Sequence, residues 1–403
     1  MRYTDVAIVG GGLAGSTAAA MLGRAGVPAL MIDPHASYPP ELRCEKLGGD
    51  QIDLLRKTGL ADATLRAARL DGEVWEARFG YVVAKKPSDQ HGIMYDTLVN
   101  TLRAQIPPEV ETICAKASAI SNSPERQKLV LSNGEEISAR LVVLANGLNV
   151  GLRHTLGIKR RVISECHSVT LGFDVEPVGR HAFSFPALTY WPKRSRSRMA
   201  YLTLFPVDGA MRANLMVYRE MTDPWLSRFR QAPEQTMRAM MPRLQRMMGD
   251  FRVNGAVRIR PADLCVTENY LQPGIVLVGD AFSTSCPAAG TGTTKVFTDV
   301  ERLCSGYIPS WLASEGMDKV KIAGFYNDSE KVACEARSLA KAYHLRSLSI
   351  DNGLSWRAQR WARFVARLSQ GMWRAIRARL TDGSTPRHPA AKPAAHPPHG
   401  RLA

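Results

Sequence analysis

The N-terminal residues alternate short apolar runs with a segment rich in small side chains. A strand-like run at residues 6–9 leads into a glycine-rich turn at residues 10–15, and an alanine-rich segment then extends to residue 26. A second apolar run, residues 28–32, ends at Asp33. A strand, a turn, a helix and a second strand within about 30 residues are typical of a βαβ unit. The pattern therefore predicts the start of a parallel sheet.

Further along the chain the apolar pattern changes twice. Residues 129–137 predict a hairpin around Asn133 and Gly134, and a continuous apolar strand follows at residues 141–144. Between residues 166 and 268, short β-like runs predict a mostly antiparallel sheet. Residues 275–278 form another buried-looking strand, and helical segments fill most of residues 294–380. This order predicts an α/β fold interrupted by a mainly β domain.

These changes divide the chain into five predicted parts. Residues 1–165 and 271–330 form the two parts of the α/β domain, and residues 166–270 form the inserted domain, mostly β with one helix-rich stretch. Residues 331–380 form basic amphipathic helices, and residues 381–403, rich in Pro, Ala and His, are expected to be disordered. In the inserted domain six residues at helical spacing favour core packing over a greasy pocket: Met237, Met240, Met241, Leu244, Met247 and Met248.

Composition narrows the class of protein. With 45% hydrophobic and 22% charged residues the chain is typical of globular proteins. Seven scattered cysteines without a CxxC pair argue against a disulfide framework or a zinc site, so no metal is expected and a reducing cytoplasm is favoured. A strand-like run follows almost directly on Met1, so no signal peptide is expected, and no apolar run is long enough to predict a membrane span.

The glycine-rich turn has the spacing of a dinucleotide-binding motif. Gly10 permits the tight turn, Gly12 lets a pyrophosphate approach the backbone, and Gly15 lets the helix lie close to the strand. The helix N-terminus then presents its N–H groups to the phosphates. Asp33, 23 residues after Gly10, is placed to accept hydrogen bonds from a ribose. The motif predicts nucleotide binding but does not separate NAD from FAD.

A second glycine-rich segment makes that separation. A buried strand delivers Asp280, and a Pro/Gly-rich stretch ending in Gly290, Thr291 and Gly292 leads into another helix. Two anion-binding helix starts so far apart in the chain suit an extended FAD molecule rather than NAD. Over roughly residues 4–305 the chain resembles the FAD-dependent monooxygenases of the aromatic-hydroxylase type (single-component flavoprotein hydroxylases), within the wider superfamily that includes geranylgeranyl reductases.

The resemblance implies a fold and a set of FAD contacts. The fold would be a Rossmann-like, glutathione-reductase-like FAD-binding domain with an inserted antiparallel substrate domain and a C-terminal helical segment. Asp33 would bind the adenosine ribose, Arg43 would reach the phosphates and Asp280 would hold the ribityl hydroxyls. The turn residues and the second segment complete the predicted set: Gly10, Gly12, Leu13, Ala14, Gly15, Gly290, Thr291 and Gly292.

Two positions depart from the family's pattern. Asn146 and Gly147 stand where the family has an Asp-Gly element that serves NAD(P)H and FAD handling. Tyr95 and Asp96 stand where the family usually opens a helix with Arg or Gln. Both departures weaken the analogy without removing the FAD prediction.

The predicted reaction is NAD(P)H-driven insertion of one oxygen atom from O₂ into a hydrophobic small molecule, with the flavin doing the chemistry. No sequence motif identifies the catalytic residues. Cys44 and Lys46 are candidates, since by resemblance they lie near the isoalloxazine, although Lys46 also fits a solvent-exposed lysine.

Three alternatives stay open. A flavin-dependent reductase of isoprenoid double bonds is suggested by residues 201–206, which partly match a Tyr-x-Trp-x-Phe-Pro segment with Thr203 in place of Trp. The hypothesis of a flavin-dependent halogenase is weakened, because the sequence lacks a Trp-x-Trp-x-Ile-Pro pattern. A non-catalytic, membrane-associated flavoprotein would bind FAD without substrate-stimulated NAD(P)H oxidation.

The C-terminal region carries most of the net charge. Residues from 331 onward hold fourteen basic and three acidic residues, which account for +11 of the net +16. On a helical wheel, residues 354–380 have an apolar arc opposite five arginines: Arg360, Arg363, Arg367, Arg374 and Arg377. The pattern suits an anionic membrane surface or a helix packed on the enzyme. No nucleic-acid module is recognised in the sequence, so nucleic acid is not an expected partner. The protein is expected in the cytoplasm, either free or at the inner face of the membrane.

Overall fold

The computed structural model describes residues 1–193 and 195–382. Its strands are β1 (Arg2–Val9), β2 (Ala29–Asp33), β3 (Lys46–Leu47), β4 (Arg69–Arg78), β5 (Tyr81–Gly92), β6 (Glu111–Cys114), β7 (Ala117–Ser121), β8 (Gln127–Leu131), β9 (Glu136–Leu144), β10 (Lys159–Pro177), β11 (Ala187–Trp191), β12 (Met199–Val207), β13 (Ala210–Val217), β14 (Phe251–Glu268) and β15 (Ile275–Leu277).

The α-helices are α1 (Leu13–Arg24), α2 (Gly49–Lys57), α3 (Ala61–Ala67), α4 (Tyr95–Arg103), α5 (Gly151–Thr155), α6 (Pro224–Gln231), α7 (Pro233–Met240), α8 (Gln245–Met248), α9 (Gly292–Glu301), α10 (Ile308–Leu312), α11 (Lys319–Tyr326), α12 (Ser329–Ile350) and α13 (Leu354–Asp382). Short 3₁₀ turns lie at Gly279–Ala281 and Pro287–Ala289. Of the predicted disordered tail, residues 383–403 lie outside the described residues.

The first sheet is the predicted parallel one. Its order is β6-β2-β1-β9, all parallel, and the far edge of β9 is shared by β15, parallel, and β8, antiparallel. Every residue of β2 is buried, as expected of a strand covered by helices or other elements on both faces. The carboxyl ends of β1, β2, β9 and β15 therefore meet at one edge, where ligands bind in open α/β sheets.

The second sheet has eight strands in the order β14-β10-β13-β12-β11-β4-β5-β3. All its pairings are antiparallel except that of β11 with β4. It extends beyond the predicted insert of residues 166–270, because β10 begins at Lys159 and β3–β5 come from residues 46–92. The sequence pattern missed β4 and β5 because their burial does not alternate cleanly. The five-part division of the chain stays a prediction.

The methionine-rich helices pack as core. Five of the six residues singled out above are buried with the strands of the second sheet, and Met240 is packed against them. None of the six lines the large cavity described below. Core packing is thus the interpretation that the structure supports.

The C-terminal helix α13 packs against β5 along one edge. A Cβ added at Gly371 would lie 1.8 Å from the Val83 carbonyl oxygen, so helix and strand touch backbone to backbone. Phe364 stacks on Phe79 with ring centroids 4.8 Å apart. A neighbouring apolar strip stays exposed: Leu354, Trp361, Val365, Met372, Trp373 and Ile376. The helix thus combines a packed edge with an exposed apolar one. Among the described residues, no helix is both long and apolar enough to cross a bilayer.

Candidate active site

One cavity of about 810 Å³ lies between the two sheets. Its first end is formed by the carboxyl ends of β1, β2, β9 and β15, and its second end by residues of β10, β12, β13 and β14. Nine of the eleven predicted cofactor residues line it: Gly10, Gly12, Leu13, Ala14, Asp33, Arg43, Asp280, Gly290 and Gly292. The cavity volume is in the usual range for ligand sites.

Two glycines of the first turn are required by packing. Gly10 has a φ of +103°, and a Cβ there would lie 2.6 Å from the Ala145 carbonyl oxygen. A Cβ at Gly15 would lie 1.8 Å from the Gly10 carbonyl oxygen. Gly15 does not line the cavity. Its role is to let α1 approach β1, as the motif predicts.

Gly12 is different because it faces open space. A Cβ at Gly12 would meet no atom closer than Tyr38, at 3.8 Å. Gly12 is the N-cap of α1, and that helix start has no side-chain cap and no acidic residue in its first turn. The unpaired N–H groups and the helix dipole therefore favour an anion at this end of the cavity. A side chain at Gly12 would fill the space that the anion needs.

Asp33 lies at the end of β2 and is buried. Its carboxylate accepts hydrogen bonds from the Gly11 N–H at 2.6 Å and the His35 N–H at 2.9 Å. The Arg103 guanidinium lies 3.0 Å from Asp33 Oδ1 and also donates to the Gly11 carbonyl oxygen. Asp33 thus holds the glycine turn in place as well as lining the cavity.

The structure joins Arg43 and Asp280, which lie 237 residues apart in the chain. Arg43 donates to Asp280 Oδ2 at 2.7 Å and to Glu41 Oε2 at 2.7 Å. Burial by itself disfavours the charge on Arg43, but these carboxylates and the Tyr95 hydroxyl raise its pKa. Burial would raise the pKa of Glu41, yet hydrogen bonds from Arg43 and Tyr38 and the charge of Arg260 lower it to about 2. These charges form a bridge across the middle of the cavity.

The second glycine segment forms the start of α9. Gly290 has a φ of +64° and ends the 3₁₀ turn at Pro287–Ala289, and Gly292 opens the helix. Of the three residues predicted here, Thr291 turns away, because its hydroxyl bonds Ser338 at 2.6 Å and the residue does not line the cavity. The start of α9 has no side-chain cap and so offers a second anion-binding end.

These features fit FAD. Glycines stand wherever a Cβ would block the turn or the cavity, and two uncapped helix starts meet the same space. In addition, Asn146 lines the cavity with its Oδ1 buried and without a hydrogen-bond partner, so this oxygen is available to a donor group of a ligand.

Comparison with known proteins gives the same result. The family model described as "FAD binding domain" matches residues 3–308. The chain belongs to the FAD binding domain family. The prediction of FAD as cofactor is confirmed.

Two relatives of this chain are named as a hydroxylase and a monooxygenase. The 3-demethoxyubiquinol 3-hydroxylase of Escherichia coli (strain K12) is 25% identical over 330 residues, covering 74% of this chain and 78% of the relative. The squalene monooxygenase of Rattus norvegicus is 24% identical over 380 residues, covering 86% of this chain and 63% of the relative, so the chain spans less than two thirds of that protein. The predicted class, an FAD-dependent monooxygenase, is confirmed at the level of the family.

The fold agrees with solved structures. The p-nitrophenol 4-monooxygenase PnpA from Pseudomonas putida DLL-E4 superposes with a TM-score of 0.73 at 16% identity, covering 95% of this chain and 98% of that one. This confirms the predicted α/β FAD-binding fold with an added, mainly antiparallel sheet and a C-terminal helical segment. The hydroxylase and monooxygenase relatives do not favour the reductase and non-catalytic alternatives.

The two catalytic candidates lie in the cavity wall of this FAD-binding protein. The interpretation of Lys46 as a solvent-exposed lysine does not hold. Its Nζ lies 2.6 Å from the buried Asp71 carboxylate and 5.1 Å from the centre of the Phe205 ring. Burial lowers the pKa of Lys46 and raises that of Asp71, while their attraction opposes both shifts. Burial also raises the pKa of the Cys44 thiol, which disfavours its thiolate form.

For the second end of the cavity the sequence offers only a partial motif. Its wall includes Phe205 and Met216 on neighbouring strands β12 and β13. Asn214 also faces it, buried, with its Oδ1 unpartnered. The segment that partly matched the reductase pattern does line this end, through Tyr201, Thr203 and Phe205. The result is a mixed surface, in which Phe205 and Met216 are apolar and the β14 residues Arg260 and Asp263 are charged.

Sequence reasoning missed several residues that shape the site. Arg103 ties Asp33 to the glycine turn, and Arg153, buried, donates to the Ala281 carbonyl oxygen at 2.7 Å, next to Asp280. A buried pair of hydrogen bonds, both 2.9 Å, joins Arg212 to Glu45, which lines the cavity. Single arginines in helices and strands carry no spacing signal, so only the tertiary contacts identify them. The departures at Asn146 and Tyr95 both line the cavity.

Proposed function

We propose that this protein uses NAD(P)H and O₂ to place one oxygen atom on a hydrophobic small molecule that binds against the flavin. The observation that carries the proposal is the large cavity, which connects the FAD cradle at the first sheet to a partly apolar surface on the second. Two relatives named for a ubiquinol and for squalene support a lipophilic substrate.

Bound FAD supplies hydride acceptance from the nicotinamide and the activation of O₂. In this proposal the chain binds and orients. The α1 start receives the pyrophosphate, Asp33 the adenosine ribose and Asp280 the ribityl hydroxyls, with Arg43 beside them. The positive end of α9 favours negative charge on the reduced cofactor.

The second end of the cavity would hold the substrate. Phe205 and Met216 supply apolar surface and keep water from the reacting atoms. Asn214 is placed to hydrogen-bond a single hydroxyl or carbonyl of an otherwise apolar molecule, which fixes its orientation. Lys46 is proposed to act through its ion pair with Asp71, which anchors the strand that follows Arg43.

The test is a screen of hydrophobic phenols and isoprenoids with the FAD-loaded protein. We expect some compounds to accelerate NAD(P)H oxidation in air and to gain one atom of ¹⁸O from ¹⁸O₂. Acceleration that persists without O₂, with a double bond reduced, would favour the reductase instead. FAD binding with no compound stimulating NAD(P)H oxidation would favour the non-catalytic alternative.

We also propose that α13 attaches the enzyme peripherally to an anionic membrane. Its exposed apolar strip and the positive charge of the C-terminal region are the two features that such a surface recognises. Replacing Val365 and Met372 by Ser removes exposed apolar surface without touching the edge packed on β5. We expect sedimentation with phosphatidylglycerol vesicles to fall while the melting temperature stays unchanged. Equal sedimentation of both proteins contradicts the attachment.

A further inference from the structure

A second, small cleft lies where α13 meets the second sheet, away from the flavin cavity. Its volume of about 30 Å³ is enough for about two oxygen atoms, each the size of a water molecule. Three arginines line it, Arg78 from β4 and Arg360 and Arg363 from α13. Within the described part of the chain, its lining includes no carboxylate.

Arg78 is held in the cleft without a full set of partners. Its guanidinium stacks on Trp191, 4.6 Å from the ring centre, and its Nε is buried with no hydrogen-bond partner. The nearby Glu76 is already paired with Lys86 at 2.5 Å. Burial lowers the pKa of Arg78 to about 10; Glu76 opposes this, and the charges of Arg367 and Arg363 add to it. Arg78 is therefore charged at neutral pH, and its Nε still has no acceptor.

The other two arginines, Arg360 and Arg363, differ in how many of their hydrogen-bond donors are already used. Arg360 donates to the carbonyl oxygens of Leu348 and Asp351, so it is partly used in holding the end of α12. Arg363 contacts His344 Nε2 through one nitrogen and keeps its other donors. Two fork-shaped guanidiniums that converge on a cleft are suited to the oxygens of a phosphate group.

We infer that Arg78 and Arg363 form a phosphate-binding site at the junction of α13 and β4, for a phosphate mono- or diester. The ester is either an anionic lipid headgroup or a soluble phosphate compound. The inference does not rest on the oxygenase reaction, since binding at this cleft requires no turnover.

The experiment uses the full chain saturated with FAD, so that phosphate does not report on the flavin site. One arm titrates glycerol 1-phosphate and inorganic phosphate by calorimetry. The other measures sedimentation with phosphatidylglycerol and with phosphatidylcholine vesicles. The variants are Arg78→Gln and the more exposed Arg363→Gln, and the control is Arg230→Gln, an exposed arginine on α6.

We expect both cleft variants to weaken binding by about tenfold in at least one arm, the order for losing a charge-assisted hydrogen bond, with Arg230→Gln near wild type. Loss with vesicles alone identifies a lipid headgroup, and loss with soluble esters identifies a soluble ligand. Equal effects of the three substitutions would show only diffuse attraction and overturn the site, as would no binding in either arm. Unchanged FAD affinity and melting temperature of Arg363→Gln exclude misfolding.

Discussion

The two ends of the large cavity are built in different ways. At the first end, the ligand-facing groups are mainly backbone: glycines, two helix starts and the carboxyl ends of strands. At the second end, they are side chains on the broad antiparallel sheet, such as Phe205, Asn214 and Met216. Backbone sites need glycine at fixed spacing, whereas side-chain sites can be made from many residue types.

This difference determines which substitutions each end of the cavity tolerates. The turn at Gly10 and the helix approach at Gly15 permit no Cβ, so the first end, which we propose binds the cofactor, tolerates little change. The second end, which we propose binds the substrate, can exchange single side chains without altering the strands. We therefore expect substitutions at the first end to affect FAD and substitutions at the second to affect the substrate.

The largest expected effects come from two glycines of the same turn. Gly15→Ala places a methyl 1.8 Å from the Gly10 carbonyl oxygen, and we expect it to destabilise the fold by several kcal/mol, about 3 or more. Gly12→Val meets no such contact, so we expect a folded protein without FAD. Circular dichroism melts and FAD titration distinguish the two results. A Gly12→Val protein that binds FAD like wild type contradicts the placement of the pyrophosphate.

Asp280→Asn should weaken FAD binding at the middle of the cavity. The loss of a charge-assisted hydrogen bond costs about 1.5–3 kcal/mol, which is about tenfold to 150-fold in Kd. Asp53→Asn on α2 is a matched control, because Asp53 is exposed and pairs only with Arg56 among the described contacts. Equal FAD dissociation constants for Asp280→Asn and wild type would remove Asp280 from the site.

The bridge through Glu41 predicts a pH dependence. The folded state lowers the pKa of Glu41 from 4.5 to about 2, so its contribution to stability is complete above pH 4.5 and is lost as the pH falls toward 2. Because Glu41 is partly exposed, we expect only about 1 kcal/mol. Melting temperatures of wild type and Glu41→Gln should differ at pH 6 and converge at acid pH. A constant difference at every pH would contradict the ion pairing.

Asn214→Leu is expected to have the smallest effect and to act at the second end alone. Removing a buried, unpartnered amide should leave stability equal or slightly higher, by up to about 1 kcal/mol. The FAD dissociation constant should stay at the wild-type value, while KM for a hydroxyl- or carbonyl-bearing substrate rises. Asn214→Asp, which keeps the acceptor oxygen but replaces the amide donor by a second, charged oxygen, is the comparison variant. A change in FAD affinity would place Asn214 at the cofactor instead.

The sequence predicted the first end better than the second for a physical reason. Gly10, Gly12 and Gly15 are spaced by the geometry of one turn, and Asp280 follows directly from a buried strand, so local pattern suffices. The partnership of Arg43 with Asp280, the anchoring by Arg103 and the ion pair of Lys46 with Asp71 arise only when distant segments meet. The same holds for β4 and β5, which the second sheet takes from within the first predicted domain.

The absorption spectrum of the bound flavin tests the shared cavity most directly. A compound that stimulates NAD(P)H oxidation is titrated into oxidised, FAD-loaded protein. If FAD and substrate meet in one cavity, the flavin bands shift with a saturable profile, and Asn214→Leu weakens the apparent affinity without changing FAD content. A stimulating compound that binds while the flavin bands stay unchanged would place the substrate elsewhere and contradict the account.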